Sequence, residues 1–90
     1  MNKVDINGLK YTDLEPRFDA RKSFYRKAQV ISIINGLQLQ SYTTIVANII
    51  NGKATVFGSY SDTTLRHIKE FLKQNGFKAE TKKQILEDYF

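Results

Sequence analysis

The feature that most constrains this chain is a motif written twice. Ser32–Thr44 reads SIINGLQLQSYTT and Asn48–Thr64 reads NIINGKATVFGSYSDTT. Both carry Ile-Ile-Asn-Gly, then a strand-like run, then Ser-Tyr and a Thr-Thr pair. Asn-Gly between apolar runs is the strongest short hairpin signal, because a type I′ turn needs positive φ at both central residues. Turns at Asn35-Gly36 and Asn51-Gly52 predict two hairpins. The first pairs Ile34 with Leu37, Ser32 with Leu39 and Val30 with Ser41. The second pairs Ile50 with Lys53, Ile49 with Ala54, Ala47 with Val56 and Ile45 with Gly58. Four strands, over 28–34, 37–42, 44–50 and 53–59, then make an antiparallel meander. A third Asn-Gly, in VDINGLKY, marks a small hairpin near the N-terminus. A single short repeat excludes a solenoid or propeller.

Strand side chains alternate between faces with period two. In the first hairpin Val30, Ile34, Leu37 and Leu39 share one face, and Ile31, Ile33, Gln38, Gln40 and Tyr42 the other. In the second, Ile45, Ala47, Ile49, Ala54 and Val56 share a face. Val46, Ile50 and Phe57 lie on its reverse among Asn48, Thr44, Thr55 and Ser59. One face is a core. The reverse is half apolar and nearly free of charge, so it is expected to meet the N-terminal arm, a partner or a second copy of the chain.

Two helices are predicted to cover the core face. Ser61 or Asp62 caps the first, whose Leu65, Ile68, Phe71 and Leu72 form an apolar stripe at helical spacing. Asn75-Gly76 stops it, with Leu72 and Phe77 placed for the hydrophobic contact of a Schellman motif. Thr81-Lys82-Lys83-Gln84 fits a capping box for the second, in which Ile85, Leu86, Tyr89 and Phe90 share one side. The expected fold is α+β and a single domain of 90 residues: an arm over 1–27, a sheet over 28–60 and two helices over 61–90.

Charge is distributed unevenly. The net charge is +5 and the isoelectric point about 9.6, which favours anionic partners. Arg17–Lys27, RFDARKSFYRK, holds five basic residues and one acid, whereas Ala28–Tyr60 holds Lys53 as its one charged side chain. In the arm, Arg17, Arg21, Lys22, Arg26 and Lys27 interleave with Phe18, Phe24 and Tyr25. Basic groups neutralise phosphates and aromatic rings stack on unpaired bases, so this is the leading binding element. Arg66, Lys69 and Lys73 make a second basic stripe on the first predicted helix, diluted by Glu70.

Signals for chemistry are absent or weak. With no cysteine there is no disulfide framework, thiolate metal site or cysteine nucleophile. His67 is the only histidine, has no second His or Cys with which to share a metal, and is read as structural. Glu87-Asp88 is a solubilising pair near the chain end. Glu15, Asp19 and Lys22, or Glu80 with Lys82, echo a nuclease's acid-acid-lysine set only loosely. Turn and cap roles absorb Gly8, Gly36, Gly52 and Gly76, and Gly58 lies inside a strand, leaving no phosphate-binding loop. No cofactor or metal is expected, and no enzymatic activity. Met1–Leu14 lacks the apolar run of a signal peptide, and no segment approaches 18 consecutive apolar residues, so the expectation is a soluble cytoplasmic protein with no membrane contact.

At FDARKSFYRKAQV, LQSYTTIVANI and SYSDTTLRHIKEFLKQNGFKAETKKQI the chain resembles a family of short proteins encoded by phages, prophages and plasmids of Gram-positive bacteria. The likeness runs from Phe18 onward. It implies a folded module of unknown function, in a bacterial host cell, without catalytic residues to carry over. A non-enzymatic accessory protein that binds and inhibits a host antiviral complex, such as a CRISPR nuclease, is the first expectation. A small basic nucleic-acid-binding module is the alternative. Either would use Arg17, Arg21, Lys22, Phe24, Tyr25, Arg26, Lys27, Arg66, Lys69 and Lys73. A homodimer through the second sheet face is a further possibility raised by its low charge.

Overall fold

A computed structural model describes the backbone of residues 2–4 and the whole of residues 9–90. The chain is α+β. Strands β1 (Asn2–Val4), β2 (Lys10–Asp13), β3 (Ala28–Ile33), β4 (Gly36–Ser41), β5 (Thr44–Ile50) and β6 (Lys53–Val56) form one antiparallel sheet in sequence order. Helices α1 (Asp62–Gln74) and α2 (Lys82–Tyr89) follow. The meander is thus longer than four strands. β2 pairs with β3, Tyr11 opposite Ile31, and β1 adds the outermost strand. Asn7-Gly8 lies outside the described residues.

The two Ile-Ile-Asn-Gly motifs do different things. At the second, Ile50 faces Lys53 and Ala47 faces Val56, and Asn51 and Gly52 both have positive φ (51° and 78°), as a type I′ turn requires. At the first, the turn residues are Ile34 and Asn35, neither with positive φ, and Gly36 already belongs to β4, opposite Ile33. Val30 therefore faces Leu39 and not Ser41. The register differs by two residues from that predicted, so the side chains within β3 and β4 keep their faces, and Ile34 alone leaves the core face on which it was expected. Ile34 is left at the turn, 99% exposed.

A second correction concerns β5. Opposite β4 the pairing passes from Leu39↔Ala47 to Gln40↔Ile45, so Val46 is an extra residue in a β-bulge. The bulge resets the alternation. Val46 and Ala47 are both buried in the core, while Ile45 stands opposite Gln40. Moving Val46 inward strips the reverse face of one of its apolar residues. Ile31 on that face is also buried.

The core lies between the sheet and the helices. Leu39, Ala47, Val56, Ile68, Phe71, Leu72, Ala79 and Ile85 form its centre, with Leu14 and Phe24 closing it from the arm. α1 packs across β4 and α2 against β6. Ser61 caps α1, its Oγ accepting the Thr64 N–H. At the other end Phe77 N–H donates to the Leu72 carbonyl and Gly76 N–H to that of Lys73, with Gly76 at φ 84°, a Schellman arrangement. Thr81 caps α2 by accepting the Gln84 N–H, while Gln84 Oε1 accepts from Glu80 N–H one residue before the cap. The described part of the arm supplies β1 and β2 and then crosses to the helix side, where α1 holds it.

Candidate binding face

The arm is fastened to α1 by polar groups on one flank of the helix. Thr64, His67 and Glu70 recur every third residue beside the apolar stripe, and all three are buried. Glu70 Oε1 accepts the backbone N–H groups of Phe18 (2.9 Å) and Asp19 (3.1 Å). Gln74 Nε2 donates both to Glu70 Oε2 (2.6 Å) and to the Glu15 carbonyl (2.7 Å). Asp19 then turns the chain. It accepts Arg21 N–H at 2.9 Å and Arg66 Nη1 at 3.0 Å. Burial acts to raise the Asp19 carboxyl, but the Arg21 N–H and the Arg66 guanidinium together hold it below the usual range.

Beyond Asp19 the arm makes a tight turn with an unusual backbone. Lys27 N–H donates to the Phe24 carbonyl at 3.0 Å, and Tyr25 and Arg26 between them both have positive φ, 53° and 63°. Two consecutive side-chain-bearing residues in the left-handed region cost about 1–2 kcal/mol each. A third, Tyr42 (φ 57°), sits in the β4–β5 turn beside it, tied by Tyr42 N–H to the Lys27 carbonyl at 2.7 Å. Strained residues of this kind gather where side chains must be aimed. Here they aim Tyr25 (73% exposed) and Tyr42 (49% exposed) outward at one end of the sheet.

Between these turns and the first turns of α1 lies a cavity of about 240 Å³. It is lined by Arg21, Ser23, Phe24, Tyr25, Lys27, Tyr42, Thr63, Arg66 and His67. Lys27 Nζ lies 5.7 Å from the Tyr42 ring centroid. Next to it a shallower depression is lined by Phe18, Asp19, Ala20, Asp62, Leu65, Arg66, Lys69 and Lys73, with Phe18 60% exposed. Arg66 borders both. The basic arm and the basic helix stripe therefore meet on one surface. The remaining arm residues divide. Arg17 lines a separate depression with Glu15, Val30 and Gln74. Lys22 is exposed, and Arg26 reaches Asp13 at 3.7 Å. Phe24 is 3% exposed, so it serves as a wall and a core anchor, not as an open stacking platform.

His67 forms the floor. Its Nδ1 hydrogen-bonds Ser41 Oγ at 2.8 Å, Ser41 Oγ meets Thr64 Oγ1 at 3.1 Å, and Phe24 packs edge-on at 4.7 Å between centroids. Ser41 is 2% exposed and is not among the residues lining the cavity. At that burial the Ser41–His67 pair reads as a strut between β4 and α1. Burial, then the charges of Arg21 and Lys27, push His67 below the ordinary imidazole range against the opposing pull of Asp19. A histidine lowered in the folded state stabilises the fold fully above about pH 6.5 and loses that contribution as pH falls through its folded value. Denaturant melts at pH 7.5 and pH 5 are expected to show lower stability at pH 5, and His67→Gln is expected to flatten that dependence. An unchanged slope in the variant would assign the acid sensitivity elsewhere.

Among the described residues no group of three or more His, Cys, Asp or Glu is placed to hold a metal ion, and no helix is long and apolar enough to cross a membrane. A family model described as "Family of unknown function (DUF8033)" matches residues 12–87, and the chain belongs to that family. No curated protein and no solved structure matches the chain.

Proposed function

We propose that this member of a family of unknown function is a non-enzymatic module that binds an unpaired nucleic-acid strand on its basic, aromatic face. One observation carries the reading: Arg21 and Lys27 of the arm and Arg66 of α1 line one cavity together with the outward rings of Tyr25 and Tyr42. Cations alone would suit any polyanion. Exposed rings interleaved with them suit unstacked bases, whose faces a duplex hides. Phe18 beside Lys69 and Lys73 extends the same pattern along the helix.

Fluorescence anisotropy of an oligothymidine 15-mer and of a duplex of equal length tests this. The single strand is expected to bind more tightly, with affinity falling with salt at a log–log slope of about −0.7 per phosphate contact. Lys69→Glu with Lys73→Glu is expected to weaken binding at least tenfold with an unchanged circular dichroism spectrum. Neither lysine forms an ion pair among the described residues, whereas Arg66 is bonded to Asp19 and its reversal would disturb the arm. Failure to retain any strand at low salt would sink the reading.

A second reading, docking onto a host antiviral complex as an inhibitor encoded by a mobile element, draws on a different surface. Ile34 (99% exposed) sits beside the β5–β6 turn, held there by Asn51 N–H donating to the Asn35 carbonyl at 2.9 Å, and Ile50 at the end of β5 is exposed next to that turn, with Phe57 exposed just past the far end of β6. Expression in a defended host should then restore phage plating, and Ile34→Lys should abolish the rescue. Plating that stays unchanged across defended hosts would remove this reading.

A further inference from the structure

The cavity above His67 differs from the rest of the basic face. The depression over Lys69 and Lys73 is open and shallow, as suits a backbone passing across it. The cavity is walled on three sides: by the arm turn at Tyr25, by the β4–β5 turn at Tyr42, and by α1 at Arg66 and His67. Its volume, about 240 Å³, falls just below the range of about 300–1,000 Å³ that whole small-molecule ligands occupy. It has room for one unit of a polymer, not for a run of them.

Its lining carries both kinds of group that a nucleotide needs, cations for the phosphate and rings for the base. Arg21, Lys27 and Arg66 bring positive charge, and no Asp or Glu is among the lining residues. Arg66 is engaged by Asp19, but Arg21 and Lys27 form no ion pair among the described residues. The aromatic residues interleave with these cations: Tyr25 stands in the same turn as Lys27, and Lys27 Nζ lies 5.7 Å from the Tyr42 ring centroid. Among the described residues, all the strained non-glycine backbone outside the Asn51 turn borders this one cavity or adjoins it, at Tyr25, Arg26 and Tyr42. We propose that the cavity is a subsite for a single nucleotide unit, with the phosphate on Arg21 and Lys27 and the base against the Tyr25 and Tyr42 rings. The inference deepens the strand-binding reading by naming where one nucleotide is held.

A coupling follows from the position of His67. Arg21 and Lys27 stand near enough to disfavour its imidazolium, while Asp19 favours it and Arg66 lines the same wall. A phosphate between Arg21 and Lys27 offsets their repulsion, so occupancy must raise the His67 pKa. By linkage, protonation of His67 must tighten binding by the same factor.

The test is a nuclear magnetic resonance titration of the full chain with uridine 5′-monophosphate, uridine, inorganic phosphate, and oligothymidine with and without a 5′-phosphate. The monophosphate is expected to shift the Tyr25, Tyr42 and His67 signals and to move the His67 titration upward. Uridine and phosphate alone should bind at least tenfold more weakly. Arg21→Gln should lose the monophosphate response tenfold or more. Tyr42→Asn should do the same, since asparagine removes the ring yet tolerates the left-handed backbone at that position. If the oligonucleotides shift the same signals irrespective of the 5′-phosphate, the subsite holds an internal nucleotide. If only the phosphorylated strand does, it holds a terminal one. If free nucleotide alone binds, the subsite stands and the strand reading falls. Equal responses to phosphate and monophosphate would overturn the subsite. So would an oligonucleotide that binds while shifting only Lys69 and Lys73, and in that case the strand reading survives without it.

Discussion

Glu70→Ala is expected to lower stability by about 3 kcal/mol and to detach the arm from α1. Glu70 is 2% exposed, and its carboxylate receives the Phe18 and Asp19 N–H groups and the Gln74 amide. Leaving a buried donor without a partner costs about 1–3 kcal/mol, and charged partners lie at the upper end of that range. Part of the loss is recovered because a released arm can rehydrate its amides. The functional consequence is larger than the stability change. Asp19 and Arg21 follow immediately on the bonds that Glu70 makes, so their freedom unbuilds the wall of the cavity. Hydrogen exchange at Phe18 and Asp19 should accelerate strongly, and the strand should bind more weakly although every basic side chain remains. Glu80→Ala, at an exposed position, should change stability by less than about 0.5 kcal/mol. A Glu70→Ala variant as stable as wild type, with protected Phe18 and Asp19 amides, would show that the apolar anchors Leu14 and Phe24 hold the arm unaided.

This role for Glu70 was not legible from the sequence, and the reason is geometric. On a helical wheel Glu70 sits among Arg66, Lys69 and Lys73, where it passes for one more solvated charge. Only the arm decides that its side is covered, and an arm without periodicity carries no signal of where it docks. A trace did exist. Thr64, His67 and Glu70 form a polar line three residues apart beside the apolar stripe, broader than a solvated boundary needs. Asp19 and Ser23, two residues ahead of Arg21 and Tyr25, are also spaced for side-chain-capped turns, and both accept those backbone N–H groups. The start and stop of α1 and the start of α2, by contrast, were readable, although Gln84 reaches back to the Glu80 N–H and not to that of Thr81. The signals are local: an oxygen at each start and, for α1, Asn-Gly at the end with a hydrophobic pair spanning the stop. The basic residues of arm and helix could be named from composition, but their meeting on one surface could not, because it depends on the crossing that Glu70 secures.

Gly36→Ala is expected to be far more damaging than Gly52→Ala, although the two glycines occupy the same place in the repeated Ile-Ile-Asn-Gly motif. Gly52 has φ 78° and open space where a Cβ would stand, so alanine there meets only the left-handed backbone penalty, about 1 kcal/mol. Gly36 has no such φ. A Cβ at Gly36 would land within collision distance of the Ile49 carbonyl oxygen, a backbone atom that cannot swing aside. β4 and β5 would have to separate at Gly36↔Ile50, next to the Leu37↔Ile49 pair that packs on the core. Overpacking of this kind costs about 1–3 kcal/mol and more where backbone must move. Urea denaturation should place Gly36→Ala at least about 2 kcal/mol below Gly52→Ala. Equal losses would mean that Gly36 is a turn glycine after all. The contrast explains why the first turn lies one residue earlier than its motif implies. Asn-Gly signals a turn when the glycine is needed for its φ, but a glycine needed for close strand approach writes the same two letters. Only the neighbouring strand distinguishes them, and here it draws Gly36 into the sheet and pushes Ile34 out to the solvent.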